Sequence, residues 1–263
     1  MYMKEREIAL KAVIKAGEIL KKYFGRVGYK LKGRANPVTL ADLKSQETII
    51  KELKKSFPEH GFIAEESGLK RINRNKLWIL DPLDGTVNYA HGYPHCAISL
   101  ACVSGNTPVL AFIYNPLKEE LFSAVKGRGA YLNGKKISVS SVSSIKDSLL
   151  ATGFAYDRAQ KADFYCSFYS DFMKISHDIR RAGAASLDMA WTACGRLDGY
   201  WEFNLKPWDV AAGILINEEA GGKVTDFEGK KLSSSNIFSW GKQTLCSNGL
   251  LHRQMLARIK EKI

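Results

Sequence analysis

Two aspartates at the end of an apolar run are the side chains of this sequence best suited to chemistry. The run at residues 77–80 leads into Asp81 and Asp84, and Gly85 and Thr86 follow directly. Two carboxylates three residues apart are suited to a divalent cation, and backbone N–H groups at a helix start are suited to a phosphate. Because the carboxylates and a phosphate would repel one another without a cation, the segment predicts Mg²⁺-dependent phosphate chemistry.

Proline and glycine shape the backbone of this segment. Pro82 restricts Asp81 to extended geometry, so we expect the strand to end at Asp81. Gly85 permits a sharp turn, and residues 86–90 are expected to start a short helix whose outward N–H groups bind phosphate. The alternative is a capped surface turn, which does not account for the proline, the glycine and both aspartates together.

Two further segments add acids to this picture. The strand-like residues 62–64 lead into Glu65 and Glu66, and only one of the two can enter a site directly, because side chains alternate along a strand. Asp209 follows Trp208 at the predicted start of an apolar helix, where an acid alone is typical of an N-cap. An N-cap does not require the neighbouring tryptophan, so Asp209 is a further candidate for the acidic site.

The sequence offers little for covalent catalysis. No arrangement of Ser, His and Asp, or of Cys and His, is evident, and the five histidines lie outside the acidic segments. The five cysteines are odd in number and have no Cys-x-x-Cys spacing, which favours reduced thiols in a cytoplasmic protein over a disulfide framework or a zinc site. Metal-assisted attack by water is therefore the expected mechanism.

The net charge of +12 raises the alternative of a non-enzymatic role. Residues 1–34 carry ten Lys or Arg against three Glu, which is compatible with an RNA or protein partner. No zinc finger or helix-turn-helix pattern accompanies this charge, and a solvated helix face with a loop that attracts an anionic substrate explains it as well. The apolar runs are too short to span a membrane, and the N-terminus lacks the apolar core of a signal peptide.

Hydrophobic spacing predicts the elements that must position these acids. Two amphipathic helices at residues 4–24 and 42–55 precede a run of short strands, which is typical of an α+β unit. The second half alternates strands with helices, which is typical of an α/β unit. Serines crowd residues 138–144, so we expect an N-terminal domain at 1–145, with most of the metal ligands, and a C-terminal domain at 146–263. The other predicted elements are strands at 62–64, 77–80, 97–103, 109–114, 121–124, 149–152, 197–203 and 244–246, and helices at 161–175, 184–195, 210–220 and 249–261.

In this order and spacing, the acidic segments resemble the inositol monophosphatase family of Mg²⁺-dependent, lithium-sensitive phosphatases. The resemblance covers nearly the whole chain, and it rests on residues 37–42, 63–67, 78–86, 208–212 and 219–222. It implies a layered αβαβα sandwich, two to three Mg²⁺ ions in each site, and a homodimer or larger oligomer as the active form.

The resemblance also implies a metal-binding role for the acids. It assigns Glu65, Asp81 and the Leu83 carbonyl to a first ion, and Asp81, Asp84 and Asp209 to a second. A third, weaker ion would lie near Glu65.

Catalytic and substrate-binding residues are implied in the same way. Thr86 and Asp42 form the hydroxyl–carboxylate pair that, with Glu65, positions and activates the attacking water. Glu202 matches an acid that hydrogen-bonds inositol hydroxyls. The residues implied to contact substrate are Asp84, Gly85, Thr86, Gly183, Ala184, Ala185 and Glu202.

Three residues depart from the pattern of the family. Ala64 stands where many members have glycine, Val87 stands where a second threonine often follows, and Ala184 stands where a hydroxyl residue is common. None of them is an implied metal ligand, so they leave catalysis intact and bear on substrate preference.

Inositol 1-phosphate is the expected substrate, because a carboxylate at Glu202 suits a polyol. The alternative is fructose 1,6-bisphosphate, alone or as a dual activity, since Arg180 and Arg181 before Gly183 would help to bind a second phosphate. Nucleotide 3′-phosphates and histidinol phosphate are further alternatives within the same mechanism.

Overall fold

The computed structural model describes residues 2–26, 28–31, 37–71 and 76–263, so Lys32 and Arg34 of the basic N-terminal segment lie outside the described residues. The helices in these ranges are α1 Met3–Tyr23, α2 Leu40–Ser56, α3 Thr86–Ala90, α4 Arg158–Ile175, α5 Ala185–Ala193, α6 Pro207–Glu219 and α7 His252–Lys260. The strands are β1 Tyr29–Leu31, β2 Pro37–Thr39, β3 Gly61–Ala64, β4 Gly68–Arg71, β5 Leu77–Asp84, β6 Ala97–Ser104, β7 Thr107–Asn115, β8 Glu120–Val125, β9 Ala130–Leu132, β10 Lys135–Ile137, β11 Leu149–Thr152, β12 Asp178–Arg180, β13 Gly199–Phe203, β14 Lys223–Thr225 and β15 Gln243–Ser247.

Helical layers and β-sheets alternate through the molecule. α1 and α2 pack on an eight-stranded sheet of order β10-β9-β8-β7-β6-β5-β3-β4, through β5, β6 and β7. α6 packs on β5–β8 and beside α5, and α5 contacts β11, β13 and β15 of a five-stranded sheet of order β12-β11-β13-β15-β14. α4 and α7 pack on β12 and β15 to form the last layer. The predicted αβαβα sandwich is confirmed.

The packing face of α1 combines small and larger apolar residues. Ala16 and Gly17 are buried on it together with Leu20, whereas Ile8 and Tyr23 are only partly buried. The small residues let the helix backbone approach the sheet closely, and Ile8 and Tyr23 lie at the margin of the contact.

β5 runs further than the sequence predicts. The strand does not end at Asp81 but continues to Asp84. Asp81 pairs with Ser99 and Asp84 pairs with Ala97, so two residues of β5 lie opposite one residue of β6 in a β-bulge. Pro82 lies within the bulge, where its missing N–H group interrupts no regular pair of the ladder.

Other element boundaries differ from the prediction for local reasons. Hydrophobic spacing does not predict β1, β2, β4, β12 and β14, because strands of three or four residues are too short to show a period. α6 begins at Pro207 rather than at Val210, since proline is well suited to the first turn of a helix. Asp209 therefore lies inside the first turn, and Lys206 is the N-cap.

One apolar core lies between the two sheets and is shared by both halves of the chain. Ile79 and Ile113 of the first sheet belong to it, together with Tyr200 of the second sheet and Ile214 of α6. The chain passes from the first sheet to the second between β10 and β11, which is where the predicted boundary at residue 145 falls. Both halves of the chain contribute to this core, so it does not separate two domains. The division at residue 145 stays a prediction.

The thiols and helices agree with the expectations from composition. All five cysteines are free, as predicted. Burial raises the pKa of Cys96 and of Cys102 to about 12, so both thiols are neutral near pH 7 and pack as small apolar groups. Within the described part of the chain, no helix has both the length and the apolar character needed to cross a membrane.

The close approach of α1 to β7 predicts that Gly17→Ala destabilises the protein. A Cβ atom at Gly17 would lie 2.3 Å from Cε1 of the Tyr114 ring and 3.3 Å from Cβ of Pro116. Overpacking of this kind costs about 1–3 kcal/mol, which exceeds or offsets the gain of about 1 kcal/mol in helix propensity. We expect a lower urea midpoint for unfolding. Gly28→Ala is the control, because a Cβ atom there meets nothing within 4 Å. Equal midpoints for the two variants would contradict the tight packing.

Candidate active site

An open cavity of about 300 Å³ lies where the two halves of the chain meet. Glu65, Asp81 and Asp84 line it from the first half, and Glu202 and Asp209 line it from the second. Asp81 and Glu202 are buried, and the other three acids are partly buried. The structure thus brings together all the carboxylates that the sequence nominates as metal ligands. Glu66, which also follows β3, is not among the lining residues that the structure describes.

The bulge in β5 places both aspartates of that strand on one face. Their partners on β6, Ser99 and Ala97, lie two residues apart and therefore point to the same side of the sheet. Paired residues of neighbouring strands share a side, so Asp81 and Asp84 share it too. In a regular strand, residues three apart point to opposite sides, and one of the two aspartates would face away from the cavity.

Burial, together with repulsion between the acids, raises the pKa values of the aspartates in the cavity. Burial, followed by the charges of Glu65, Asp84 and Asp209, holds the pKa of Asp81 well above its usual range. Burial, followed by the charge of Asp84, raises the pKa of Asp209 in the same way. Burial also raises the pKa of Asp84 to about 6, although hydrogen bonds from Ser186 oppose the rise. The fully ionised cluster therefore needs a compensating cation.

Hydrogen bonds hold one oxygen of each aspartate in the cluster. The Leu83 N–H group donates to Oδ1 of Asp81 at 2.9 Å, and the Lys206 N–H group donates to Oδ2 of Asp209 at 2.7 Å. Oδ2 of Asp84 is held in the same way from α5. These bonds fix each side chain while its other oxygen can serve a cation.

The donor set fits a hard divalent cation such as Mg²⁺. Carboxylate and carbonyl oxygens are the ligands that Mg²⁺ prefers, and the cavity provides both. The described lining residues include no His or Cys, which would favour a softer metal. Within residues 2–26, 28–31, 37–71 and 76–263, no group of three or more His, Cys, Asp or Glu side chains is already spaced to hold an ion. The fit of the site to Mg²⁺ therefore rests on the oxygen ligands that the carboxylates offer and on their raised pKa values. A bound cation would offset their repulsion and let them lie closer together.

A buried carboxylate lies behind Thr86. Oγ1 of Thr86 is 3.1 Å from Oδ1 of Asp42 and 2.9 Å from the Leu83 carbonyl oxygen, so its single proton can be donated to either. Asp42 also accepts hydrogen bonds from the N–H group and the hydroxyl of Thr39 at the start of α2. Burial raises the pKa of Asp42 to about 6, and the Thr39 bonds oppose the rise. Asp42 thus reaches the cavity only through Thr86.

The turn after Asp84 is packed against the loop before α5. Gly85 has φ +82°, and a Cβ atom there would lie 2.8 Å from the His95 carbonyl oxygen and 3.2 Å from Cβ of Ala184. Gly85 and Gly183 line the cavity, whereas Ala184 is buried behind Gly85 and is not among the lining residues described. The Ala184 methyl group supports the turn from behind, and contact of Ala184 with substrate stays a prediction.

Glu202 is oriented by two neighbours that the sequence does not single out. The Tyr200 hydroxyl donates to Oε2 of Glu202. A Cβ atom at Gly153 would lie 2.0 Å from the same oxygen, so only glycine leaves room for the carboxylate. Burial raises the pKa of Glu202 to about 7, and the Tyr200 hydrogen bond opposes the rise.

Three cations line the same cavity: Arg158, Arg181 and Lys206. The Arg181 guanidinium lies 5.3 Å from the centre of the Phe154 ring, which holds it over an aromatic wall of the cavity. Arg180, predicted together with Arg181, instead lies beside Asp178 at 2.5 Å and lines a separate cavity. Arg180 is the last residue of β12, whereas Arg181 follows it outside the strand and faces the first cavity.

Sequence reasoning misses Ser186, Gly153, Tyr200 and Arg158 as residues of the site. For Ser186 a weak signal exists, since it provides a hydroxyl two residues after Ala184. A glycine directly after β11 is a weak signal of close approach at Gly153. Nothing in the spacing around Tyr200 or Arg158 distinguishes either residue from other surface or core positions.

Comparison with known proteins agrees with the geometry. The model of a family described as the inositol monophosphatase family matches residues 2–263. An inositol-1-monophosphatase from Synechocystis sp. is 41% identical over 255 residues, which is 95% of this chain and 86% of that protein. The Nus factor SuhB of Escherichia coli K12 is 38% identical over 263 residues, which is 97% of this chain and 96% of that protein.

A solved structure shares the fold. The inositol monophosphatase from Anabaena (Nostoc) sp. PCC 7120 superposes with a TM-score of 0.87 at 38% sequence identity. The match covers 99% of this chain and 96% of that one, so all five layers of the sandwich are included.

The raised pKa values predict that the metal-free protein is less stable at pH 8 than at pH 5. Asp42 and Asp84 titrate near 6 and Glu202 near 7 when folded, against ordinary values of 3.8 and 4.5. The folded state therefore holds more protons between about pH 4 and pH 7, and stability falls as pH rises through that window. We expect a Tm several degrees lower at pH 8 in EDTA, and recovery on adding Mg²⁺. A Tm in EDTA that is the same at both pH values would contradict the clustered charge.

The hydrogen bond from Tyr200 predicts that Tyr200→Phe raises the pKa of Glu202 above about 7. The phenol donates to the ionised carboxylate and stabilises it, so its removal favours the protonated form. The ¹³C shift of the Glu202 carboxyl group, followed by NMR across pH 5–9, measures this change. Tyr93→Phe serves as the control, because Tyr93 is 53% exposed and lines a cavity that Glu202 does not line. An unchanged titration of Glu202 would show that the hydrogen bond does not favour the ionised form.

Proposed function

This chain belongs to the inositol monophosphatase family, and on that premise we propose that it is a Mg²⁺-dependent phosphatase whose substrate is inositol 1-phosphate. The observation that carries the proposal is the cluster of Glu65, Asp81, Asp84 and Asp209 around one cavity, with Thr86 and its buried carboxylate at the edge. Hydrolysis of a phosphate monoester needs charge neutralisation and a positioned water, and this arrangement suits both.

Five groups are the proposed ligands of two to three Mg²⁺ ions: Glu65, Asp81, the Leu83 carbonyl, Asp84 and Asp209. When bound, Mg²⁺ lowers the pKa of a water and offsets the negative charge of the phosphate. The hydrogen bonds from Leu83 and Lys206 keep Asp81 and Asp209 in place before any ion arrives, which reduces the cost of ordering them.

Thr86 and Asp42 are proposed to position the attacking water. With Asp42 ionised, the Thr86 hydroxyl donates a hydrogen bond to Oδ1 of Asp42, and its oxygen can accept a hydrogen bond from the water. When the water attacks, its proton would pass to the Thr86 oxygen as the Thr86 proton passes to Asp42. Glu65 lines the cavity and offers a second acceptor. The N–H groups of Gly85 and Thr86, at the start of α3, are the proposed phosphate contacts.

Direct attack by water agrees with the composition of the cavity. The described lining residues include no Ser, Cys or His side chain that could form a covalent intermediate, and the three aspartates there are the proposed cation ligands rather than nucleophiles. We therefore expect inversion at phosphorus and no phosphorylated enzyme. Glu202, held by Tyr200, is the proposed acceptor for a hydroxyl of the polyol.

Fructose 1,6-bisphosphate is a second candidate substrate. Arg158, Arg181 and Lys206 line the cavity, and a second phosphate would lie among these cations. Either substrate uses the same carboxylate cluster for the reacting phosphate, so a dual activity is compatible with the site.

Catalysis is favoured over a purely binding role. All the acids of the cluster are present, whereas a non-enzymatic protein would have no need to retain them against their mutual repulsion. "Nus factor" is the name of a relative, and an RNA or protein partner for this chain stays an alternative in addition to catalysis. Lithium inhibition, a homodimer and a cytoplasmic location also stay predictions.

Phosphate release from inositol 1-phosphate and fructose 1,6-bisphosphate, measured side by side, tests the proposal. We expect release from inositol 1-phosphate with Mg²⁺ and none with excess EDTA. Release from both substrates would support the cationic wall as a second phosphate site. No release from either, in protein that binds Mg²⁺, would overturn the substrate assignment.

Asp81→Asn and Asp209→Asn are each predicted to lower turnover by at least about a hundredfold, because each removes a charge that stabilises the transition state through the cation. Steady-state rates at saturating Mg²⁺ measure the effect. Asp178→Asn is the matched control, since Asp178 is exposed on β12 and bonds to Arg180. Near-normal turnover of Asp81→Asn or Asp209→Asn at saturating Mg²⁺ would contradict the assignment of that residue as a cation ligand.

A further inference from the structure

The first turn of α5 is bonded to Asp84 of β5, across the boundary between the two halves. Oδ2 of Asp84 accepts a hydrogen bond from the Ser186 N–H group at 2.7 Å and another from Oγ of Ser186 at 2.5 Å. These residues are 102 positions apart in sequence. Both bonds are charge-assisted when Asp84 is ionised, and such bonds are stronger than neutral ones.

α5 lacks a capping side chain of its own. Its N-cap is Ala184, which forms no side-chain cap hydrogen bond. The first N–H groups of any helix have no partner within the helix, and they favour a negative charge. Asp84 supplies both the acceptor and the charge, so it caps α5 from a neighbouring strand.

The Ser186 hydroxyl is the part of this contact that depends on the side chain. Any residue at position 186 would present its N–H group, but only a hydroxyl residue can add the second bond to the same oxygen. Ala184, two residues earlier, has no hydroxyl, so Ser186 provides the hydroxyl at the start of α5 in this chain.

We propose that Ser186 is a positioning residue for the cation site. Its two bonds hold Oδ2 of Asp84 at the start of α5, so Oδ1 is the oxygen that would be left for the cation. One carboxylate thereby serves cation binding and the docking of α5 on β5. The cation is the one that the proposed function assigns, so this part of the inference rests on that function, whereas the capping of α5 does not.

Mg²⁺ affinity of three variants, measured by titration calorimetry, tests the role of the hydroxyl. Residues that orient metal ligands typically contribute tenfold or more to affinity, so Ser186→Ala is expected to bind Mg²⁺ about tenfold more weakly. Ser186→Thr, which keeps the hydroxyl, should stay within about twofold of the unaltered protein. Thr192→Val is the matched control, because it removes a buried hydroxyl of the same helix that donates to the Asp188 carbonyl.

Hydrogen exchange of the metal-free protein tests the cap separately. Asp84→Ala should speed exchange in the first turn of α5 by about tenfold or more, because the Ser186 N–H group loses its acceptor. Asp209→Ala, which removes another acid of the cavity, should leave exchange in α5 unchanged.

The Mg²⁺ titration and the hydrogen-exchange experiment together distinguish a failure of this inference from a failure of the proposed function. Unaltered protein that binds no Mg²⁺ would refute the proposed function, and the exchange experiment would still decide the cap. Mg²⁺ affinity that is unchanged in Ser186→Ala, or equally weakened in Ser186→Thr and Thr192→Val, would overturn the positioning role. Unchanged exchange in Asp84→Ala would overturn the cap.

Discussion

The repulsion among carboxylates that share one partly desolvated cavity is the constraint on which the rest of the site depends. Burial is the largest cost of ionising Asp81, Asp84 and Asp209, and the charges of neighbouring carboxylates add to that cost. Each of the three aspartates accepts a hydrogen bond that partly offsets this cost, from a nearby backbone N–H group or from the start of α5. The donors hold the acids apart in defined orientations, and the remaining charge makes the cavity selective for cations.

The layered architecture explains why such a costly cluster can persist. Asp81 and Asp84 belong to the first sheet, whereas Asp209 starts α6 in the layer between the sheets. The acids meet only when α6 packs on β5–β8, so the apolar core beneath them offsets their repulsion. In the unfolded chain Asp209 is far in sequence from Asp81 and Asp84, and all three carboxylates are solvated.

The sequence predicts those features that a local segment determines. The apolar run before Asp81, the glycine after Asp84 and the short helix at α3 all follow from neighbouring residues. Ser186 and Gly153 belong to the site because the chain folds back over long distances, and no local pattern encodes their contacts with Asp84 and Glu202. The extension of β5 is also missed, because a bulge depends on the partner strand as much as on the proline.

The bulge in β5 ties the geometry of the site to the number of residues between its two aspartates. Asp81 and Asp84 share a side of the sheet because the two residues between them lie opposite a single residue of β6. Deleting one of these two residues would leave the aspartates two apart in a regular strand, still on one side, but it would remove the bulge and the spacing at which the Leu83 N–H group donates to Oδ1 of Asp81. Related chains are therefore expected to tolerate substitutions at the two intervening positions more readily than a change in their number.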